Sequence, residues 1–346
     1  MNCFRNMGFG VLAGLFCFVF LAVGTGYSLA APVDQTPILT LVSTIDLPGK
    51  GGHGDVVVYD PDKKTVYIAQ SPDNNVIVIS TVTNKVAAVI PDVNGGNGIA
   101  VGPSFIYAAS GDDNTLAVID KTTWKVIKKV PTGGTAPDAV YYDAQDDKVF
   151  VGNDDSNTMG VIYSQYPFVL ITSFPLSSDK PIAGPDLGLY VAEQNRIYQS
   201  MDNLVLVINA ATNEIIKTIP TNVEINKKGG TKSMIYDPQK NTLWVGTSSK
   251  QILAMNLDTG GYTKVATDSG MDQLTWDPIT RLIFFGQGGA GALGIIDAST
   301  GKFLGSLKTE ADFHTVAVDY DQHLVYAYYN QSNKVLVYKE NTGMMQ

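Results

Sequence analysis

Beyond about residue 30 the chain alternates between short apolar runs rich in Val, Ile, Tyr and Phe and polar clusters of Asp, Asn, Pro and Gly. The runs are strand-length and bounded by turn residues, and amphipathic helix periodicity is absent. The first unit shows the parts. Asp55-Val56-Val57-Val58-Tyr59 reads as an inner strand, Asp60 to Lys64 as a turn, and Thr65 to Ala69 as a second strand. Ser71 to Asn75 turns again, Val76 to Ile79 is a third strand, and Thr83-Asn84-Lys85 leads into an outer strand, Val86 to Ile90. An aromatic residue marks the second strand of each unit: Tyr67, Tyr107, Phe150, Tyr190, Trp244, Phe284 and Tyr326. The intervals are 40, 43, 40, 54, 40 and 42 residues. A period of about 40 residues, with strand-type sequence in every unit, predicts an all-β fold, a seven-bladed β-propeller with one blade per repeat. The strands are apolar on both sides because a blade is covered by a neighbour on each face.

The last unit lacks its outer strand, since only Val335 to Tyr338 follows Tyr326. Leu41 to Leu47, before the first inner strand, resembles the outer strand Val126 to Pro131. The N-terminal strand is therefore expected to complete the seventh blade and close the ring, protecting edges that could pair with other molecules. Leu41, Ile45 and Leu47 are its expected buried residues.

At these residues the chain resembles a known family. Tyr67-Ile68-Ala69-Gln70-Ser71, then Val76 to Ile79 and Thr83-Asn84-Lys85-Val86, is similar to the YVTN-type β-propeller repeat. Tyr107-Ala108-Ala109-Ser110 through Val118-Ile119-Asp120 and Thr123-Trp124-Lys125-Val126 repeats the likeness. It covers nearly all of the chain after the leader and departs most at Ser164 to Phe168 and at Gln194 to Met201, which reads as an insertion in the fourth unit. The resemblance implies the fold; its relatives include extracytoplasmic surface and binding proteins and, more distantly, seven-bladed lactonases. Fold likeness alone assigns no reaction.

The first thirty residues differ in kind. Arg5 precedes an apolar run from Gly8 to Val23, and small residues at Ser28 and Ala30 fit a secretory cleavage site. Residues 1–30 are thus expected to be a signal peptide and 31–346 the propeller, found in the periplasm or secreted. An uncleaved anchor is the rival, but the run is short for a membrane span. Both cysteines, Cys3 and Cys17, fall in this leader, which leaves the mature chain without disulfide, thiolate nucleophile or Cys-ligated metal. Loss of Arg5 takes the net charge of −9 one unit lower. An acidic chain without Lys/Arg clusters gives no support to nucleic-acid binding. A monomer without a stable membrane anchor is expected.

The residues just before the inner strands are Asp55, Asn97, Asp138, Lys180, Lys232, Asp272 and His314, with His53 two residues before Asp55. A propeller places such positions around the mouth of its central channel, so these are the expected ligand contacts. Polar loops beside a wet channel also need no function, since Asp and Asn serve as turn residues. His53 and His314 belong to the first and seventh units, which closure makes neighbours, and with Asp55, Asp272 or Asp312 they could hold a divalent metal; the sequence assigns no metal and no cofactor. His323 falls in a turn at the other end and is expected to be solvated. Gly286 to Gly291 is glycine-rich without a following helix, and reads as a turn rather than a phosphate cradle. Nucleophile-elbow, metalloprotease, Walker and dinucleotide motifs are absent. The expected function is an exported binding protein for a polar small molecule or protein partner. The alternatives are a lactonase-like hydrolase, metal-assisted or not, and a structural module of a surface assembly.

Overall fold

The computed structural model describes residues 38–177, 181–182, 184–225 and 229–341, so the leader and Lys180 lie outside the described residues. The first strand is β1 (Leu39–Asp46). Blade 1 follows as β2 (Val57–Asp60), β3 (Thr65–Gln70), β4 (Asn75–Ser80) and β5 (Lys85–Pro91). Blade 2 is β6 (Gly96–Val101), β7 (Phe105–Ser110), β8 (Thr115–Asp120) and β9 (Lys125–Pro131). Blade 3 is β10 (Pro137–Asp143), β11 (Lys148–Asn153), β12 (Thr158–Tyr163) and β13 (Leu170–Pro175). Blade 4 is β14 (Leu189–Val191), β15 (Arg196–Met201), β16 (Leu204–Asn209) and β17 (Glu214–Pro220). Blade 5 is β18 (Thr231–Asp237), β19 (Thr242–Thr247), β20 (Gln251–Asn256) and β21 (Tyr262–Ala266). Blade 6 is β22 (Leu274–Asp277), β23 (Leu282–Gln287), β24 (Ala292–Asp297) and β25 (Lys302–Lys308). Blade 7 has β26 (Thr315–Asp319), β27 (Leu324–Tyr329) and β28 (Lys334–Glu340), and takes β1 as its fourth strand.

All seven sheets are four-stranded and every pairing is antiparallel. Inner strands of successive blades touch, blade 7 against blade 1 included, so the blades form a closed seven-bladed β-propeller. Each seam between blades holds its own apolar cluster; at the 7–1 seam Ile45 and Leu47 pack with Val57, Ile68, Tyr326 and Tyr328. Middle strands are covered on both faces, as in β3, where all six residues are buried. Outer strands instead alternate, as in β25, with every second residue turned to solvent.

Closure occurs as the sequence predicts, with a shift in detail. β1 pairs with β28 from Leu39 opposite Glu340 to Asp46 opposite Lys334, with an irregularity between Leu41 and Ser43. The inward residues are Leu39, Ile45 and Leu47, whereas Leu41 is exposed. The bulge resets the alternation, so the residue that meets the core at the start of the strand is Leu39.

Blade 4 corrects the reading of the repeat. Tyr190 lies in the inner strand β14, and the aromatic equivalent to Tyr67 is Tyr198, the third residue of β15 and likewise buried. Gln194 to Met201 is thus a turn followed by the second strand, not an insertion. Asn195 takes the left-handed conformation there, as Lys64, Asp147, Asn241, Arg281 and His323 do in the same turn of other blades. The extra length falls before β14 instead, which moves the fourth channel position to Asp186.

That turn also carries a buried carboxylate. Asp60, Asp143, Asp237, Asp277 and Asp319 end their inner strands, and each is at most 1% exposed. Each accepts hydrogen bonds from backbone amides two or three residues on, as Asp277 does from Ile279 and Thr280 at 2.7 and 3.1 Å. Most of them also meet a donor from the next blade: Lys121 on Asp60 at 2.7 Å, Tyr190 on Asp143 at 2.7 Å, Arg281 on Asp237, and His323 on Asp277 at 2.6 Å. His323 is therefore a seam residue and not a solvated one. Burial and the nearby Asp277 push the neighbouring Glu340 carboxyl up to about 8 against the opposing hydrogen bond from Thr280, so Glu340 is largely neutral in the fold.

Candidate functional site

At the opposite end from these carboxylates, the loops entering the inner strands converge. Asp73 fixes the first of them by accepting from the backbone amides of Lys50 at 2.8 Å and Gly51 at 3.0 Å. That loop carries His53 and Asp55, whose Nε2 and Oδ1 lie 3.5 Å apart. The His314 ring, from the loop before β26, lies 5.3 Å from that of His53, tilted by 32°. Gly286 is what lets His314 come so close to blade 6: a Cβ there would meet the His314 backbone at 2.4 Å. The glycine-rich stretch after it lines the cavity and forms turns, as the sequence suggests.

A second group lies across the mouth. Lys232 bonds Asp186 directly and stands 3.3 Å from Asp272. Burial disfavours the charge on Lys232, but the two carboxylates outweigh it and hold its pKa above the ordinary lysine value. Burial pushes Asp186 up to about 6, against the pull of Lys232 and with help from Asp272. The carboxylates of Asp55 and Asp138 join the two groups. Asp138 is raised well above the usual carboxylate range by burial, then by the charges of Asp55 and Asp186. Burial also works against Asp55, yet His53, His314 and Asp138 together hold it below that range. Within this pair the charged form is therefore favoured on Asp55 over Asp138. His53 is raised in turn, chiefly by its hydrogen bond to Asp55, with burial opposing.

Of the sequence-predicted residues, His53, Asp55, Asp138, Lys232, Asp272 and His314 do converge. Asn97 is used structurally: its amide donates to the Pro137 carbonyl at 3.3 Å and its oxygen accepts from Ser71 at 3.2 Å, tying three blades. Lys180 lies outside the described residues, and Asp186 takes the fourth-blade position. Sequence reasoning also misses Gln273. Its Oε1 accepts from the amides of Val316 and Val57, at 3.2 and 3.3 Å, and its Nε2 donates to the Val57 carbonyl at 2.9 Å. This one side chain links blades 6, 7 and 1 below the mouth. A signal for Asp186 exists in the chain: it stands four residues before Tyr190, as Asp138 does before Tyr142, Lys232 before Tyr236 and Asp272 before Trp276.

A cavity of about 400 Å³ opens beside these groups. It lies off the centre, lined by His53, Lys232, Ser248, Ser269, Asp272 and His314 among others, from blades 1, 5, 6 and 7. The far end of the channel has a separate cavity of about 440 Å³ among inner-strand backbones, with Tyr59, Tyr142, Tyr190, Trp276 and Tyr320 around it.

The fold is shared with a known protein. The chain superposes on a chain of Kuenenia stuttgartiensis hydrazine synthase with a TM-score of 0.75 over 86% of its own length and 98% of the other's, at 15% identity. That likeness concerns architecture alone. No family model matches the chain, and no curated protein matches it.

Proposed function

We propose that this propeller is an exported binding protein of the YVTN-repeat type that holds a small polar ligand in the channel mouth. The observation that carries the reading is Lys232, partly buried between Asp186 and Asp272 on the wall of a polar cavity. Four blades place charged groups on one hollow while the seams behind them stay packed. This is rigid support for a polar contact set. Carboxylates outnumber cations around the mouth, so the preferred ligand carries hydroxyl or amino groups and no net negative charge.

Asp272→Ala tests it. The Asp272 side chain is partly exposed and Lys232 retains Asp186, so stability should change by less than about 1 kcal/mol. Loss of a charged hydrogen bond to ligand should cost about 1.5–3 kcal/mol, roughly ten- to hundredfold in affinity. A thermal-shift panel of polyols, amines, amino acids and lactones supplies the probes. If the variant melts well below the parent and binds the same panel members equally, Asp272 is a structural cap and the ligand site lies elsewhere.

The His53–Asp55 pair, with His53 raised toward the charged form, favours one second reading, a lactonase-like hydrolase using His53 as proton donor or acceptor. Turnover of lactones in the same panel, abolished by His53→Ala, separates catalysis from binding.

Export to the periplasm or medium is supported by the Arg5, apolar-run and Ser28–Ala30 pattern. Protein isolated from its native host should have the mass of a chain beginning at Ala31. A mass that retains Cys3 and Cys17 rejects cleavage.

A further inference from the structure

We propose that His53, Asp55 and His314 form a site for one divalent transition metal of the zinc class, at the seam where the ring closes. The inference deepens the reading of the mouth as a binding site, and it rests on donor geometry. One ligand atom from each of the three residues lies within 4.8 Å of the other two. A zinc ion with ligands at about 2.0–2.2 Å needs donor separations of about 3.3 Å. The 3.5 Å between His53 Nε2 and Asp55 Oδ1 already meets this, and the half-exposed His53 ring is free to adjust.

His314 supplies the deciding detail. Its Nδ1 lies 2.7 Å from the Asp312 carbonyl oxygen, which can only accept, so Nδ1 carries the proton. The lone pair is then on Nε2, which is buried and has no hydrogen-bond partner. A backbone carbonyl that fixes the imidazole tautomer and leaves the other nitrogen bare is how proteins prepare a metal-ligating histidine. An imidazole acceptor buried without a donor is otherwise a net loss to the fold.

The donor set selects the metal. Two imidazoles with one carboxylate suit zinc and its neighbours, whereas calcium and magnesium demand several oxygens. Three protein ligands leave a position open, and His53 and His314 both line the 400 Å³ cavity, so a bound ligand can complete the coordination. The other cluster of this kind among the described residues, Asp277, His323 and Glu340, is closed differently. There His323 Nδ1 lies 2.6 Å from Asp277, Thr280 donates to Glu340 at 2.6 Å, and Asp277 and Glu340 are fully buried.

The test uses tag-free full-length protein, stripped with a chelator and titrated with zinc alone, then with calcium and magnesium. One equivalent of zinc should bind, and the hard cations should bind far more weakly. His53→Ala and His314→Ala should each weaken zinc by at least about tenfold. His323→Ala should leave it unchanged. Because the His53 side chain is half exposed, His53→Ala keeps the fold and decides the matter even if His314→Ala does not express. Cobalt substitution should give the visible absorption of a nitrogen-oxygen site in the parent and not in these two variants. No stoichiometric zinc uptake, equal calcium affinity, or an effect of His323→Ala as large as that of His53→Ala overturns the proposal. A protein that binds a panel ligand but takes no zinc loses only the metal; zinc uptake without any organic ligand retains the metal and removes the ligand reading.

Discussion

Deleting residues 31–48 should leave a chain that no longer folds to a stable monomer. The segment supplies the whole outer strand of blade 7, paired with β28 along its length. It buries Leu39, Ile45 and Leu47, the last two inside the cluster shared with blade 1. It also satisfies Asn333, whose amide donates to the carbonyls of Leu47 and Pro48 at 3.1 and 3.3 Å. Three buried aliphatic side chains and a ladder of backbone hydrogen bonds amount to on the order of 5 kcal/mol or more. That is comparable with the whole net stability of an ordinary domain, about 5–15 kcal/mol. The exposed edge of β28 would in addition be open to pairing with another molecule. Size-exclusion chromatography and a thermal melt check this: the truncated chain should aggregate or melt far below the parent. A monomer with the parent's melting temperature would show that β1 is decoration.

Lys121→Met should be the most damaging single substitution away from the mouth. Lys121 and Asp60 are both 1% exposed and 2.7 Å apart, and the ammonium also donates to the Gly102 carbonyl at 2.9 Å. Methionine fills the space of the stem but leaves the Asp60 carboxylate buried with only amide and Tyr67 hydroxyl donors. Breaking a buried pair from one side costs about 3–5 kcal/mol. The denaturation midpoint should fall accordingly with little change in the slope. Adding Asp60→Asn should recover part of the loss, because the stranded charge goes while the turn acceptor stays. A loss below about 1 kcal/mol for Lys121→Met would place the pair among weak surface bridges and refute its role.

The architecture was legible because it repeats. Six of the seven marker aromatics sit at the same place in the second strand, from Tyr67 to Tyr326, and the missing outer strand of the last unit was visible as a surplus at the other end. Blade 4 was misread because two aromatics eight residues apart, Tyr190 and Tyr198, both stand in apolar runs. Only pairing decides between them, and Tyr198 faces Val207 across β16 as Tyr67 faces Val78 across β4. The shift carried the fourth mouth position from Asp186 to Lys180. The mouth was legible as positions but not as partners. Ring closure makes His53 and His314 neighbours on the sequence alone, as their rings are, but the sequence does not show which nitrogen of His314 is held by a carbonyl. Gln273 was invisible for a related reason: its role depends on reaching two other blades at once.

The pairing of β1 with β28 also sets an order of events. When β1 has left the ribosome, its partner is still 288 residues from existence, counting from Asp46 to Lys334. At about 5–20 residues per second, that strand waits roughly a quarter of a minute to a minute for its neighbour in the sheet. Blades 1 to 6 can each complete their four strands as they emerge, because every one is continuous in the chain. The seventh cannot. During that interval the nascent protein is an open arc with two unsatisfied seams, so its exposure to aggregation is set by translation speed rather than by the stability of the finished ring.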